Sequence, residues 1–330
     1  MIIGDLTRPI ERIALPEPLQ SSLGPFVPSE GWSSVLYVGE SRRAWRIDFG
    51  PGSTATVHET GIVIPQSNDF EPIDFVGDRA VLSCDGDLYM FVLSTGRLLA
   101  RVPIKDIFGA CLTPDGRYLM WFGSEATQIW PLDDEPSTPI STRLFHSSAS
   151  DLPAFGYEPC SVARMTRPGS PGAFHVIVGH YGFAVEYSVS YKNSMPPEFL
   201  LNGTLRIHQG FVLDPVFTIG GGRFPFVAIN HGYGCGIRLI DVGTGRSRSC
   251  PDVAKRTSTG YGRYYSAIPS SDQDTFLVKT MEGWKLWNLA TNGALSLRSL
   301  SIEPVHFRGG RFWAAKADDP ASLHQFGVQS

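Results

Sequence analysis

One unit recurs along this chain, and no other feature constrains its fold so tightly. An alternating apolar strand meets a Thr-Gly or Asn-Gly turn and resumes as a weaker, more polar strand. It is clearest at "LYMFVLSTGRLLARV" (Leu88 to Val102), "IRLIDVGTGRSRSC" (Ile237 to Cys250) and "LWNLATNGALSLRSL" (Leu286 to Leu300). The turn glycines Gly245 and Gly293 lie about one unit apart, within the roughly 40 to 50 residues of the longer β repeats. Weaker copies are "AWRIDFGPGSTATVHE" (Ala44 to Glu59), "LTPDGRYLMWFGSEATQIWPLDD" (Leu112 to Asp134) and "AVEYSVSYKNSMPPEFLL" (Ala184 to Leu201). In the second of these, Pro114-Asp115-Gly116 is turn chemistry: proline presets φ, aspartate caps its own turn and glycine accepts a positive φ. The runs Tyr118 to Phe122 and Thr127 to Leu132 flank a polar break and read as a hairpin.

Six units are thereby accounted for, and the two ends of the chain together supply a seventh. "VHFRGGRFWAAKADDPASLHQFGV" holds three short strands, and "IERIALPEP" (Ile10 to Pro18) is an orphan strand-like segment. Setting that segment on the outside of the last unit removes an open edge that would invite aggregation. Units that bury their faces only against their neighbours make a repeat fold, so a length suggesting two domains here implies one. The expectation is an all-β chain and a single β-propeller domain of seven four-stranded blades, closed by an N-terminal strand joining the last blade. The blades fall near 22–62, 70–104, 107–145, 155–202, 209–252, 260–301 and 303–329 plus 8–18, with six or eight blades as alternatives.

The pattern resembles the WD40-like superfamily of β-propellers over nearly the whole chain. The exit turns quoted above carry the resemblance, with Pro114-Asp115-Gly116, Trp130 before Pro131 and Trp287 before Asn288. No unit keeps a full Trp-Asp dipeptide, so the buried Asp–His network of the typical repeat is expected to be mostly absent. The resemblance implies a ring whose rim and central mouth bind other molecules.

Composition narrows the partners. A formal net charge of −4 argues against clamping a nucleic-acid backbone, which usually needs a basic face. The clusters Arg42, Arg43, Arg46 and Arg246, Arg248 are expected to decorate solvent-facing hairpins. The five cysteines are scattered without metal-ligand spacing, and Cys84 and Cys111 sit in apolar strands as inert core thiols. The first residues lack the apolar core of a signal peptide, and no segment approaches membrane-spanning length. A cytoplasmic protein with no cofactor and no metal is the expectation.

Candidate site residues follow from the repeat register. Loops joining the second and third strands of each unit hold Glu40 with Ser41, Asp85 with Asp87, Glu125, His180, His231, Glu282, and Asp318 with Asp319. That set makes an acidic rim, suited to a protein or peptide with a basic surface. His180-Tyr181-Gly182 and His231-Gly232-Tyr233-Gly234 each end a buried strand, where glycine admits a tight turn or a ligand and a His-Tyr pair could exchange a proton. "TSTGYGRYYSAIPS" adds Tyr261, Arg263 and Tyr264, residue types that dominate interface hot spots and line small-molecule pockets. A divalent cation on the rim would need ligands from separate units, and no Asp-x-Asp-x-Asp-Gly loop is present. "GESR" at 39–42 is no nucleophile elbow, and "GGGR" at 220–223 precedes a strand, where a phosphate cradle needs a helix.

The function expected is therefore a non-catalytic protein-interaction scaffold, with Glu40, Asp85, Asp87, Glu125, Tyr181, Tyr261 and Glu282 at its binding surface. The alternative is a small-molecule enzyme or binder at the central mouth, using His180 and His231 for proton transfer and Tyr233, Arg263 and Tyr264 for positioning.

Overall fold

The structure, a computed structural model, describes residues 2–3, 9–19, 26–29, 32–65, 70–103, 110–122, 127–132, 140–142, 161–166, 173–190, 197–211, 216–218, 226–231, 236–241, 247–249, 267–270, 275–280, 283–297 and 302–329. They are almost entirely strand, arranged in seven small antiparallel sheets.

Two N-terminal strands come first, β1 (Ile2–Ile3) and β2 (Glu11–Ala14). The first sheet follows as β3 (Val27–Pro28), β4 (Ser34–Val38), β5 (Arg43–Phe49) and β6 (Ala55–Val63), and the second as β7 (Phe70–Val76), β8 (Arg79–Cys84), β9 (Asp87–Val92) and β10 (Leu98–Pro103). The third holds β11 (Ala110–Leu112), β12 (Tyr118–Phe122), β13 (Thr127–Pro131) and β14 (Ile140–Thr142). The fourth has β15 (Ser161–Thr166), β16 (Ala173–Ser190) and β17 (Glu198–Phe211). The fifth comprises β18 (Val216–Thr218), β19 (Phe226–His231), β20 (Gly236–Asp241) and β21 (Ser247–Ser249), and the sixth β22 (Ala267–Pro269), β23 (Thr275–Thr280), β24 (Gly283–Asn288) and β25 (Gly293–Ser296). The seventh is built on β26 (Ile302–Arg308), β27 (Arg311–Lys316) and β28 (Asp319–Gln329).

Four strands per sheet, the expected number, are found in five of the seven. The fourth sheet differs because β16 runs unbroken for 18 residues, pairing with β15 along Phe174 to Gly179 and with β17 along Tyr181 to Ser190. The sequence around His180 explains this: valine, isoleucine and aromatic residues continue on both sides, and the Asp-Gly or Asn-Gly pair of a tight hairpin is missing. The seventh sheet differs the other way. Its β28 receives β2 and β1 on the edge away from β27, so the orphan strand near the start of the chain finds its partner there.

Packing joins each sheet to the next. Strand alternation sends successive side chains to opposite faces, and in β4, β8 and β12 both faces are buried. In the first sheet Leu36, Val38 and Ala44 meet Phe75, Ala80 and Leu82 of the second, while Val35, Tyr37, Trp45 and Ile47 meet Val305, Trp313 and Leu323 of the seventh. Clusters of the same kind join the second sheet to the third, the third to the fourth and the sixth to the seventh. Between the fourth, fifth and sixth sheets, β15 lies against β18 and β18 against β22. Cys84 and Cys111 are buried inside these cores and not joined in a disulfide.

Candidate functional site

Local turn chemistry positions the described members of the rim. Asp85 and Gly86 join β8 to β9 with φ of +51° and +80°, the mirror-image turn that Asp-Gly favours because glycine carries no Cβ and aspartate tolerates the left-handed region. Glu40 and Ser41 join β4 to β5, and Asp318 lies between β27 and β28. Glu40 and Asp85 are exposed.

Neighbouring residues offset much of the acidic charge. Asp87 is only 17% exposed and takes the Arg101 guanidinium at 2.5 Å, while Arg101 also covers the Tyr89 ring at 5.3 Å. Asp319 receives Arg12 at 3.0 Å and His324 at 2.9 Å, and Lys316 reaches Asp318 at 3.3 Å. Glu17 approaches from the N-terminal segment and accepts both the Ser41 amide at 3.0 Å and the Ser41 hydroxyl at 2.6 Å. In the described turns Asp87, Asp318 and Asp319 are thus tied to basic neighbours, while Glu40 and Asp85 stay exposed. Arg43 and Arg46 are likewise tied on the first sheet, to Glu59 and Asp48 at 2.7 Å each.

Other candidate residues divide between backbone and no description. His180 and Tyr181 lie inside β16, so they do not form the turn that their glycine neighbours suggested. His231 closes β19, opposite Gly236 at the start of β20. Glu125, Tyr233, Tyr261, Arg263, Tyr264 and Glu282 lie outside the described residues.

Three polar groupings carry no sequence signal. Arg164 on β15 bonds Asp74 on β7 at 2.7 Å and the Leu112 carbonyl on β11 at 2.7 Å, while Asp74 accepts the Leu112 amide at 2.8 Å. Both side chains are largely buried, so removing one member of such a pair costs on the order of 3 to 5 kcal/mol; the grouping stitches three consecutive sheets. On the seventh sheet His324 and Asp319, both on β28, form an Asp–His pair. Arg12 joins them and also donates to Ser322 at 2.9 Å. His306, at the junction of the first and seventh sheets, stacks on Phe49 with centroids 4.1 Å apart, and its Nδ1 lies 2.6 Å from the Trp32 carbonyl. Burial pushes the His306 imidazole down to about 4, with Arg308 adding to the shift and the Trp32 carbonyl opposing it. Nearby, the Tyr37 hydroxyl is buried without a hydrogen-bond partner, and burial followed by the charge of Glu17 raises its pKa.

Chemically, the described turns are equipped to present exposed carboxylates on ordered backbone. Among the described residues no group of three or more His, Cys, Asp or Glu is placed to hold a metal ion, and no helix is long and apolar enough to cross a membrane.

No protein-family model matches the chain, and no curated protein matches it. Solved structures do. A chain in the crystal structure of the mitotic checkpoint complex superposes with a TM-score of 0.53 at 12% identity, covering 100% of this chain and 99% of that one. Apo AztD from Citrobacter koseri gives a TM-score of 0.46 at 13% identity over 93% of this chain and 86% of that one. A second Citrobacter koseri AztD structure gives 0.47 at 12% identity over 93% and 87%. At 12% identity the likeness to the checkpoint-complex chain is one of fold.

Proposed function

We propose that the seven sheets are the blades of a WD40-like β-propeller, one domain over residues 1–330, and that the chain is a non-catalytic scaffold binding another protein or peptide. The succession of sheet contacts, with the seventh sheet packed on the first, supports the ring. So does the end-to-end likeness to the checkpoint-complex chain. In a propeller the turns between second and third strands gather on one face. The interface would lie there, on Glu40 and Asp85 with Glu125 and Glu282 of the equivalent turns, and with Tyr181 and Tyr261 beside them.

One observation carries the functional reading. The turns are fixed before any partner arrives, because Glu17, Asp87 and Asp319 hold them through Ser41, Arg101, Arg12 and His324. A surface already ordered loses little entropy on docking, and its remaining exposed carboxylates suit a partner with basic side chains. The neighbouring structure is itself that of a complex, in keeping with protein partners. Neither nucleic acid nor membrane enters this role. The reading keeps the chain in the cytoplasm, where Cys84 and Cys111 stay reduced.

Capture from native lysate tests it, comparing the natural chain with one carrying Glu40→Lys, Asp85→Asn, Glu125→Lys and Glu282→Lys. Asparagine is used at 85 because it tolerates the positive φ there. Loss of a few specific proteins by the variant is the expected result. Identical captures remove the rim from consideration, and an empty capture by both turns attention to small molecules at the mouth near His180 and His231.

A further inference from the structure

The edge of β28 is covered by a distant segment, Arg12 lying 310 residues before Ser322. Glu11 to Ala14 pair with Gln325 to Ser322, and Ile2 and Ile3 pair with Gln329 and Val328. Ile10 and Leu15 extend the ladder through their amides to the Gln325 and Ala321 carbonyls. The segment then crosses to the first sheet, where Leu19 pairs with Gly39 and Glu17 holds Ser41.

Its hold is uneven. None of the four β2 side chains is buried, and the polar clamp of Arg12 on Asp319 and Ser322 lies at the surface. Apolar anchoring comes from Leu15 and Leu19, both buried between the seventh and first sheets. Segments held largely by exposed backbone pairing open locally well before a fold melts. When this one opens, the 11-residue β28 presents a bare edge, with Leu323 and Phe326 on a strand whose other side is already paired.

From this geometry we infer that residues 10–19 form an exchangeable strand, and that the partner fitting the vacated edge is the same segment of a second copy of this chain. A second copy supplies the identical set of contacts: Ile13 opposite Leu323, Arg12 on Asp319 and Ser322, Leu15 and Leu19 between the sheets, and Glu17 on Ser41. No new interface is required, which is why strand exchange is a low-cost route to a dimer. The balance is set by concentration, because the tethered segment competes at an effective concentration of order mM. The monomer therefore dominates in dilute solution, and the exchanged dimer forms where copies are crowded or after brief warming at high concentration.

Cross-linking tests this directly. Ala14 and Ser322 face each other in the ladder; Ser322→Cys gives up the Arg12 hydrogen bond to the Ser322 hydroxyl but leaves the Arg12–Asp319 pair in place. A chain carrying both Ala14→Cys and Ser322→Cys should form the 14–322 disulfide internally in dilute solution, which establishes that the pair can close. Chains carrying one substitution each are then mixed, warmed, cooled and oxidised. The expected result is a dimer whose digest contains the 14–322 linked peptide, in a yield rising with protein concentration and absent from either single variant alone. If the double variant closes internally while the mixture yields no 14–322 peptide at any concentration, strand exchange is overturned. Failure of the double variant to close would itself contradict the ladder on which the inference rests.

Discussion

At the junction of the first and seventh sheets, the imidazole of His306 is 3% exposed, with one nitrogen on the Trp32 carbonyl and Nε2 without a hydrogen-bond partner. Its ring lies flat on Phe49, so protonation would place a charge against an aromatic face in a dry setting. The folded pKa of about 4 lies below the ordinary histidine value of 6.5, so between those values the unfolded chain binds more protons than the folded one. Stability from this group is fully present above about pH 6.5 and is lost as pH falls toward 4, by about 3 kcal/mol at 1.36 kcal/mol per unit. His306→Gln removes the titration. Urea unfolding at pH 7, 5.5 and 4 should show the natural chain losing stability faster than this variant as pH falls, and parallel curves would show that the histidine is not buried as described.

Among the elements, one contact between the first two sheets leaves no room for a side chain. Gly61 on β6 donates to the Leu93 carbonyl, and a Cβ on Gly96 in the β9–β10 turn would sit 1.8 Å from the Gly61 carbonyl oxygen. Gly96 also has φ of +67°. Gly52 shares that backbone conformation, at +72°, but a Cβ there meets nothing within 4 Å. Gly52→Ala should therefore cost about 1 to 2 kcal/mol from the left-handed conformation alone, and Gly96→Ala about 1 to 3 kcal/mol more for the clash. Equal thermal shifts in the two variants would contradict the backbone contact. The same elements show what the sequence made legible. Turns at Asp85-Gly86, Pro114-Asp115-Gly116 and Asn292-Gly293 were readable because their chemistry is local, and each has its residue of positive φ in the structure. His180-Tyr181-Gly182 misled because a lone glycine breaks a strand less reliably than an Asp-Gly pair, and strand-forming residues on both sides carry β16 through it. The link of Arg164 to Asp74 spans 90 residues and that of His306 to Trp32 spans 274, so no local pattern announced either.

For the whole molecule, stability in a repeat fold is close to a sum of units and the interfaces between neighbours. The interface between the seventh and first sheets differs from the others, because the N-terminal segment lies across it and lends it Leu15 and Leu19. Removing residues 1–19 forfeits those two side chains, about 3 to 6 kcal/mol at about 1.5 to 3 kcal/mol for each buried leucine. The loss should be local before it is global. Amide exchange in the shortened chain should accelerate first in β4 and β28 and last in β12, and uniform acceleration would mean that the ends do not govern opening.

The span between Arg12 and its partner Ser322 is 310 residues, which gives the segment a history as well as a position. A ribosome adding roughly 5 to 20 residues per second needs about 15 to 60 seconds to travel from one to the other. Throughout that interval Leu15 and Leu19 are made but have no seat, since Leu323 and Trp313 of the cluster that buries them do not yet exist. Each nascent chain thus carries a sticky segment until Leu323 emerges. Slowing translation between the codons for Leu19 and Trp313 lengthens this exposure, and on a crowded polysome the neighbouring nascent chains are the nearest surfaces for that segment to find.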